Sequence, residues 1–193
     1  MSIKSIRTGW TGISALAGNP VMGDFESISS TTVSSGGAAN IEFTSIPSTY
    51  QHLQIRLLAK MSGTASEYNQ GSIQLNGDTA SNYSWHRLGG TGAATFTSAG
   101  TSASDMQLPH FPDSNRSANF FGGYVIDILD YTNTNKYKTI RTIGGADQNG
   151  VGTVGLYSGS WRNTNAVTSI KILPTSTLNF VQYTTAALYG IKG

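Results

Sequence analysis

The sequence predicts an all-β protein, an antiparallel β-sandwich of jelly-roll type behind an N-terminal arm, and three observations predict it. Apolar residues alternate with polar ones in run after run, the period-two pattern of a strand with one buried face. Turn-forming residues break those runs at spacings of about 8 to 20 residues, with almost no helical stretch between them. The composition is polar yet nearly chargeless: Ser, Thr, Asn and Gly supply 83 of 193 residues and charged residues only 11%, against about 25% in an average globular domain.

That length fits one domain, or one domain with an arm, and suffices for a real core. Aromatic residues at 10% exclude a disordered chain. The net charge of +2 is too small and too scattered for a nucleic-acid footprint, which needs clustered Lys and Arg. With no cysteine there is no disulfide framework, thiolate metal site or Cys nucleophile. No run approaches the ~18 apolar residues of a membrane helix, so no membrane partner is expected.

Residues 1–26 differ from the rest. Ile3, Ile6, Trp10, Ile13 and Ala17 fall at helical spacing, but Gly9 and Gly12 each cost a helix interior about 1 kcal/mol, and Pro20 follows. The expectation is an arm that docks apolar residues on a surface, with Ile3, Ile6, Trp10 and Ile13 as assembly contacts. The competing reading is a strap over its own domain. Lys4, Arg7 and Ala15-Leu16-Ala17 imitate a signal peptide, but Thr8 to Ser14 is not a continuous apolar core, so no signal is expected.

From about Ser27, through residue 193, the period is two and the jelly-roll domain is expected. In Asn40 to Ile46, Ile41 and Phe43 face one side and Glu42 and Thr44 the other; Pro47-Ser48-Thr49 ends the run. His52 to Lys60 is the clearest strand, with Leu53, Ile55, Leu57 and Ala59 on the buried face. Ser72 to Leu75 meets Asn76-Gly77, a type I′ hairpin signal because both positions need positive φ. Tyr83 to Leu88 suits a strand. Residues 89–120 read as irregular, rich in Gly, Ser, Thr and Ala and ending at Pro109 and Pro112; so long a stretch is unusual unless it is functional or holds short strands. Tyr124 to Tyr131 carries apolar residues on both faces, as in a central strand buried on both sides or covered by a neighbouring subunit. Tyr137 to Ile143, Val151 to Ser158, Ala166 to Leu173 and Phe180 to Ile191 complete about eight to ten strands.

No catalytic set emerges. His52, His86 and His110 lie in separate segments, without a second His or carboxylate at close metal-ligand spacing. Gly155-Leu156-Tyr157-Ser158-Gly159 puts Tyr where a hydrolase nucleophile would stand. Asp127 and Asp130, three apart on a strand, fall on opposite faces and cannot flank one glycosidic bond; pairing with Lys or Arg is their expected role. Asp147-Gln148-Asn149-Gly150 resembles part of a calcium loop but lacks its third acidic position and distal Glu, and reads as a turn. No catalytic residue, metal or cofactor is therefore expected. Trp85, alternating with Tyr83, reads as core or interface. Trp161, Arg162 and Asn163 are the candidate surface contact, since an exposed Trp beside Asn and Arg stacks on sugar rings; the alternative has Trp161 plugging the end of the sandwich or packing at a subunit seam.

Several of these segments carry a resemblance. Phe43 to Arg56, Gln74-Leu75-Asn76-Gly77-Asp78 with Asn82-Tyr83-Ser84-Trp85-His86, Val125 to Tyr131 with Lys136 to Arg141, and the ending Ala187-Leu188-Tyr189-Gly190-Ile191-Lys192-Gly193 resemble blocks of virion structural proteins of marine and cyanobacterial tailed phages. The resemblance runs in order over residues 39–193 and leaves residues 1–38 outside it. It implies a non-enzymatic virion component. The compact size, without heptads or repeats, favours a capsid decoration or cement protein placed as trimers on the major capsid protein lattice, on the head surface. The alternative it leaves open is a tail-associated module that binds receptor or host glycan.

Overall fold

The structure, a computed structural model, describes residues 24–174 and 177–193. Ile3, Ile6, Trp10 and Ile13 lie outside the described residues. Within them the chain forms β1 (Phe25–Thr32), β2 (Ile41–Phe43), β3 (His52–Ala59), β4 (Tyr68–Leu75), β5 (Tyr83–Gly90), β6 (Thr95–Ala103), β7 (Met106–Pro112), β8 (Gly122–Leu129), β9 (Lys138–Gln148), β10 (Val151–Trp161), β11 (Ile170–Leu173) and β12 (Thr185–Ile191), with no helix.

The strands make two antiparallel sheets packed as a jelly-roll-like sandwich. The large sheet has eight strands in the order β1-β12-β3-β8-β9-β10-β5-β6, and the small one four in the order β2-β11-β4-β7. The core lies between them. Strand β3 behaves as its alternation requires: Leu53, Ile55, Leu57 and Ala59 are buried while Gln54 and Arg56 face outward. Ile126 and Ile128 of β8 join them, facing Ile73 and Leu75 of β4 and Ile170 and Ile172 of β11 in one cluster.

The irregular reading of residues 89–120 is corrected, because β6 and β7 occupy much of it. Both are edge strands. Strand β6 is largely exposed and built from Ser, Thr, Ala and Gly around Phe96, so it buries too little to show an apolar alternation. Strand β7 accepts Pro109 because an edge strand leaves one row of backbone donors unpaired.

The hairpin reading at Asn76-Gly77 also needs correction. The turn is there, with φ of 53° and 66° and Asp78 N donating to Leu75 O at 3.0 Å. Yet β4 and β5 belong to different sheets, so the turn carries the chain across the sandwich. The two-residue hairpin forms instead at Asn149-Gly150 (φ 55° and 86°), where Gln148 of β9 pairs with Val151 of β10.

Two lysines are buried with their ammonium groups satisfied. Lys138 Nζ donates to the carbonyls of Asn133, Lys136 and Thr164, fastening the loop after β8 to the loop after β10. Lys60 Nζ donates to the carbonyls of Arg116 and Ser117. Burial holds both below the ordinary lysine range.

Candidate functional site

The candidate sugar contact does not survive folding as an exposed platform. Trp161 is the last residue of β10 and only 1% exposed. Its ring lies over Tyr83, with centroids 6.4 Å apart and planes 22° from parallel, and its indole Nε1 donates to Asp78 Oδ2 at 2.7 Å. A Trp pinned on both its face and its nitrogen closes the end of the sandwich, the alternative the sequence left open. Arg162 is exposed but turned onto the Ser81 carbonyl at 2.6 Å, and Asn163 Oδ1 accepts the Asn165 N–H at 2.9 Å in a local turn. Trp85 is likewise buried.

The titratable groups are dispersed. His52 is on β3, His86 on β5 and His110 on β7. Among the described residues no three His, Cys, Asp or Glu side chains come together as metal ligands. His52 Nδ1 accepts the Asp130 backbone N–H at 2.9 Å, so its 3.6 Å approach to the Asp130 carboxylate is not an ion pair. Asp127 and Asp130 pair separately, as expected: Asp127 with Arg141 at 3.0 Å, and Asp130 with Lys136. Asp147 Oδ1 accepts the Gly150 N–H at 2.7 Å, which is turn chemistry.

The surface that stands out is the outer face of the large sheet. Backbone register places Ser30, Ala187, Arg56, Val125, Ile143, Leu156, Leu88 and Thr97 in one straight row across all eight strands. Residues in one such row project from the same face. Five of the eight are apolar, and Ile143, Leu156 and Leu88 are 56%, 45% and 54% exposed.

The next row is Thr185, Leu58, Gly123, Gly145, Val154 and Gly90. Where glycine replaces a side chain, the face sinks. Two depressions result, of about 430 Å³ beside Leu58, Gly123 and Val125 and about 540 Å³ beside Gly90, Gly145 and Val154. They are separate, one on the β12–β3–β8 side of this row and one on the β9–β10–β5 side.

On the other flank the row Gln54, Asp127, Arg141, Ser158 and His86 is polar. Three of its members bind one another, Gln54 Nε2 donating to Asp127 Oδ1 at 2.8 Å and Arg141 pairing with Asp127 at 3.0 Å, and Arg56 Nε of the neighbouring row donates to Gln54 Oε1 at 3.0 Å. The outer face is therefore an apolar ladder with two shallow depressions on one side and a polar border on the other.

Sequence reading missed most of this face, although part of the signal was present. The apolar residues on both faces of Tyr124 to Tyr131 asked for a second cover. Val125 is now seen to lie on the outer ladder, which nothing among the described residues covers. Leu58, Ile143, Val154 and Leu156 carried the same signal, but only register shows that they meet.

No known protein-family model matches the chain, and no curated protein matches its sequence.

Proposed function

We propose that the protein is a non-enzymatic virion structural protein, a capsid decoration or cement protein that fits against the major capsid protein lattice on the head surface and works as a homotrimer. The observation that supports this best is the uncovered apolar ladder Val125–Ile143–Leu156–Leu88 on the outer face of a rigid sandwich. Contiguous exposed apolar surface on a soluble body marks an interaction site. The resemblance of residues 39–193 to phage virion proteins supplies the kind of partner.

The mechanism is adhesion. A shell under internal pressure is strained at subunit junctions, and a protein that binds only the assembled lattice stabilises it by its binding free energy. Apolar contacts carry little salt dependence, unlike exposed charge pairs, which are screened within about 8–10 Å. The tail-associated, glycan-binding alternative drew on an exposed Trp161 together with the Asn-rich loops and the sandwich fold, and it loses the first of these with the burial of Trp161.

The test is direct. Purified protein mixed with heads that lack it co-sediments with them, and imaging of complete particles places it on the head surface. Absence of the chain from the head surface overturns the reading.

A further inference from the structure

The large sheet ends in two open edges, and the two fit each other. Strands β1 and β6 lie at its ends, and among the described residues nothing pairs with the outer side of either. An open edge is a template for another strand, and proteins blunt it with Lys, Pro, bulges or short length. Strand β6 is nine residues of Thr, Phe, Ser, Ala and Gly, without charge or proline. Strand β1 has eight, and its one charge, Glu26, is engaged by Tyr50 at 2.9 Å and Lys192 at 3.5 Å. Each strand has a bulge, between Ser27 and Ser29 in β1 and beyond Gly100 in β6, which leaves residues 29–32 and 95–100 regular.

We propose that β6 of one copy pairs antiparallel with β1 of the next, Thr95 opposite Thr32 and Thr97 opposite Ser30, so that the homotrimer is a ring of three large sheets joined edge to edge. The inference rests on the homotrimeric reading above and names its seam.

Direction and level agree. All seven pairings in the large sheet are antiparallel, so β6 runs opposite to β1. A copy set alongside in the same orientation continues that alternation. Register puts Thr32 and Thr95 at the two ends of one straight row across the sheet, and Ser30 and Thr97 at the ends of the next. The regular stretches of the two edges therefore stand level.

The backbone groups agree as well. In an antiparallel pair, residues alternate between bonding to one neighbour and pointing away from it. Val33 N donates to Thr184 O at 2.8 Å, so Thr32 and Ser30 point away from β12. Thr91 N donates to Ala94 O at 2.9 Å, so Thr95 and Thr97 point away from β5. The residues with free donors and acceptors are the ones the proposed register brings together, and their side chains share the outer face. Pairing two β6 edges about a twofold axis would leave β1 open in both copies. The head-to-tail seam uses both edges of every copy, and such a contact closes into a ring where its rotation allows.

The chain has no cysteine, so introduced thiols report unambiguously. Ser98 and Ser29, both exposed, fall opposite each other at the next position of the seam. That position is not hydrogen-bonded, so its Cα atoms stand about 4.5 Å apart, within disulfide reach. Ser98→Cys and Ser29→Cys, mixed and oxidised, should give a mixed disulfide dimer, and the double variant a covalent trimer. Ser158→Cys, exposed in mid-sheet, is the control and should not link to Ser29→Cys. Linkage of Ser98→Cys only to itself, linkage no better than the control, or no linkage overturns the proposal.

Thr97→Pro supplies a second test. It removes only a donor that faces away from β5, which an edge strand tolerates. Light scattering should find the wild type at trimer mass and Thr97→Pro at monomer mass, with an unchanged β-sheet circular dichroism spectrum. Thr97→Lys, which places a charge on the edge, should do the same and serves if the proline variant does not fold. A monomeric wild type, or a folded variant that keeps its oligomer mass, overturns the seam. Trimers joined at this seam that ignore heads would sink the capsid reading alone, and heads decorated by chains linked elsewhere would sink the seam alone.

Discussion

Trp161 Nε1 donates to Asp78 Oδ2 across 2.7 Å, tying the end of β10 to the turn through which the chain changes sheets. The same carboxylate accepts Asn82 Nδ2 at 2.8 Å and the Ala80 N–H at 2.9 Å. Burial alone would raise its pKa, but the bonds from Asn82, Trp161 and Ala80 outweigh that and hold it below the ordinary 3.8. Asp78→Ala orphans a buried indole N–H, so a loss of about 1–3 kcal/mol near neutral pH is expected in urea melts. A depressed carboxyl pKa contributes stability above its unfolded value that disappears as pH falls through the folded value. The gap between wild type and Asp78→Ala is therefore full-sized at neutral pH and narrows in acid below the ordinary 3.8. A gap that widens in acid would contradict the assignment.

Strand β9 offers a test of which face is which. Ile140 is fully buried and Ile143 is 56% exposed, three residues apart on one strand. Ile140→Ala leaves a cavity and costs about 2–5 kcal/mol. Ile143→Ala removes a methyl-rich side chain from the surface and stays within about 0.5 kcal/mol. Comparable losses for the two would mean that the outer ladder is covered within the monomer.

The parts of the fold that could be read in advance are those where burial acts on one face at a time. Leu53, Ile55, Leu57 and Ala59 alternate because the core lies on one side of β3 only. Strand β6 escaped because an exposed edge strand of small residues has no face to bury. Asn76-Gly77 announced its backbone conformation correctly, but positive φ describes a turn and not the partner of the strand that follows. The candidate site was less legible for the same reason. Trp161 sits among polar neighbours in the chain, and its burial depends on Tyr83 and Asp78, each about 80 residues away in sequence. The outer ladder draws one residue from each of several strands, and only the register of the sheet assembles it.

Paired glycines on the outer face, one in each depression, separate what the fold needs from what the surface leaves open. Gly123 and Gly145 face each other across β8 and β9. A Cβ on Gly123 would meet nothing closer than a Leu58 methyl at 3.8 Å, whereas one on Gly145 would lie 2.2 Å from the Thr153 carbonyl oxygen. Gly123→Ala is expected to keep or raise stability by about 0.4–1 kcal/mol by restricting the unfolded chain. Gly145→Ala forces backbone apart and costs about 1–3 kcal/mol. Thermal melts of both variants decide it; a destabilised Gly123→Ala would show that its position is needed for packing and not left open as the floor of a depression.

Leu156 is the residue through which the adhesive reading is most exposed to failure. It stands mid-ladder, paired with Ile143 on one side and Leu88 on the other. Being 45% exposed, it should accept Leu156→Glu with a stability change within about 0.5 kcal/mol. At a contact surface the same change forfeits the burial of a leucine, about 1.5–3 kcal/mol, and strands a carboxylate against apolar partners. Association with capsids should then weaken by at least about tenfold, since 1.4 kcal/mol is a factor of ten. Arg141→Gln is the matched control. It breaks the ion pair with Asp127 on the polar border, an exposed interaction worth about 0–1 kcal/mol, and should leave association nearly unchanged. If both variants weaken binding equally, or neither does, the ladder is not the surface through which this protein holds its neighbours.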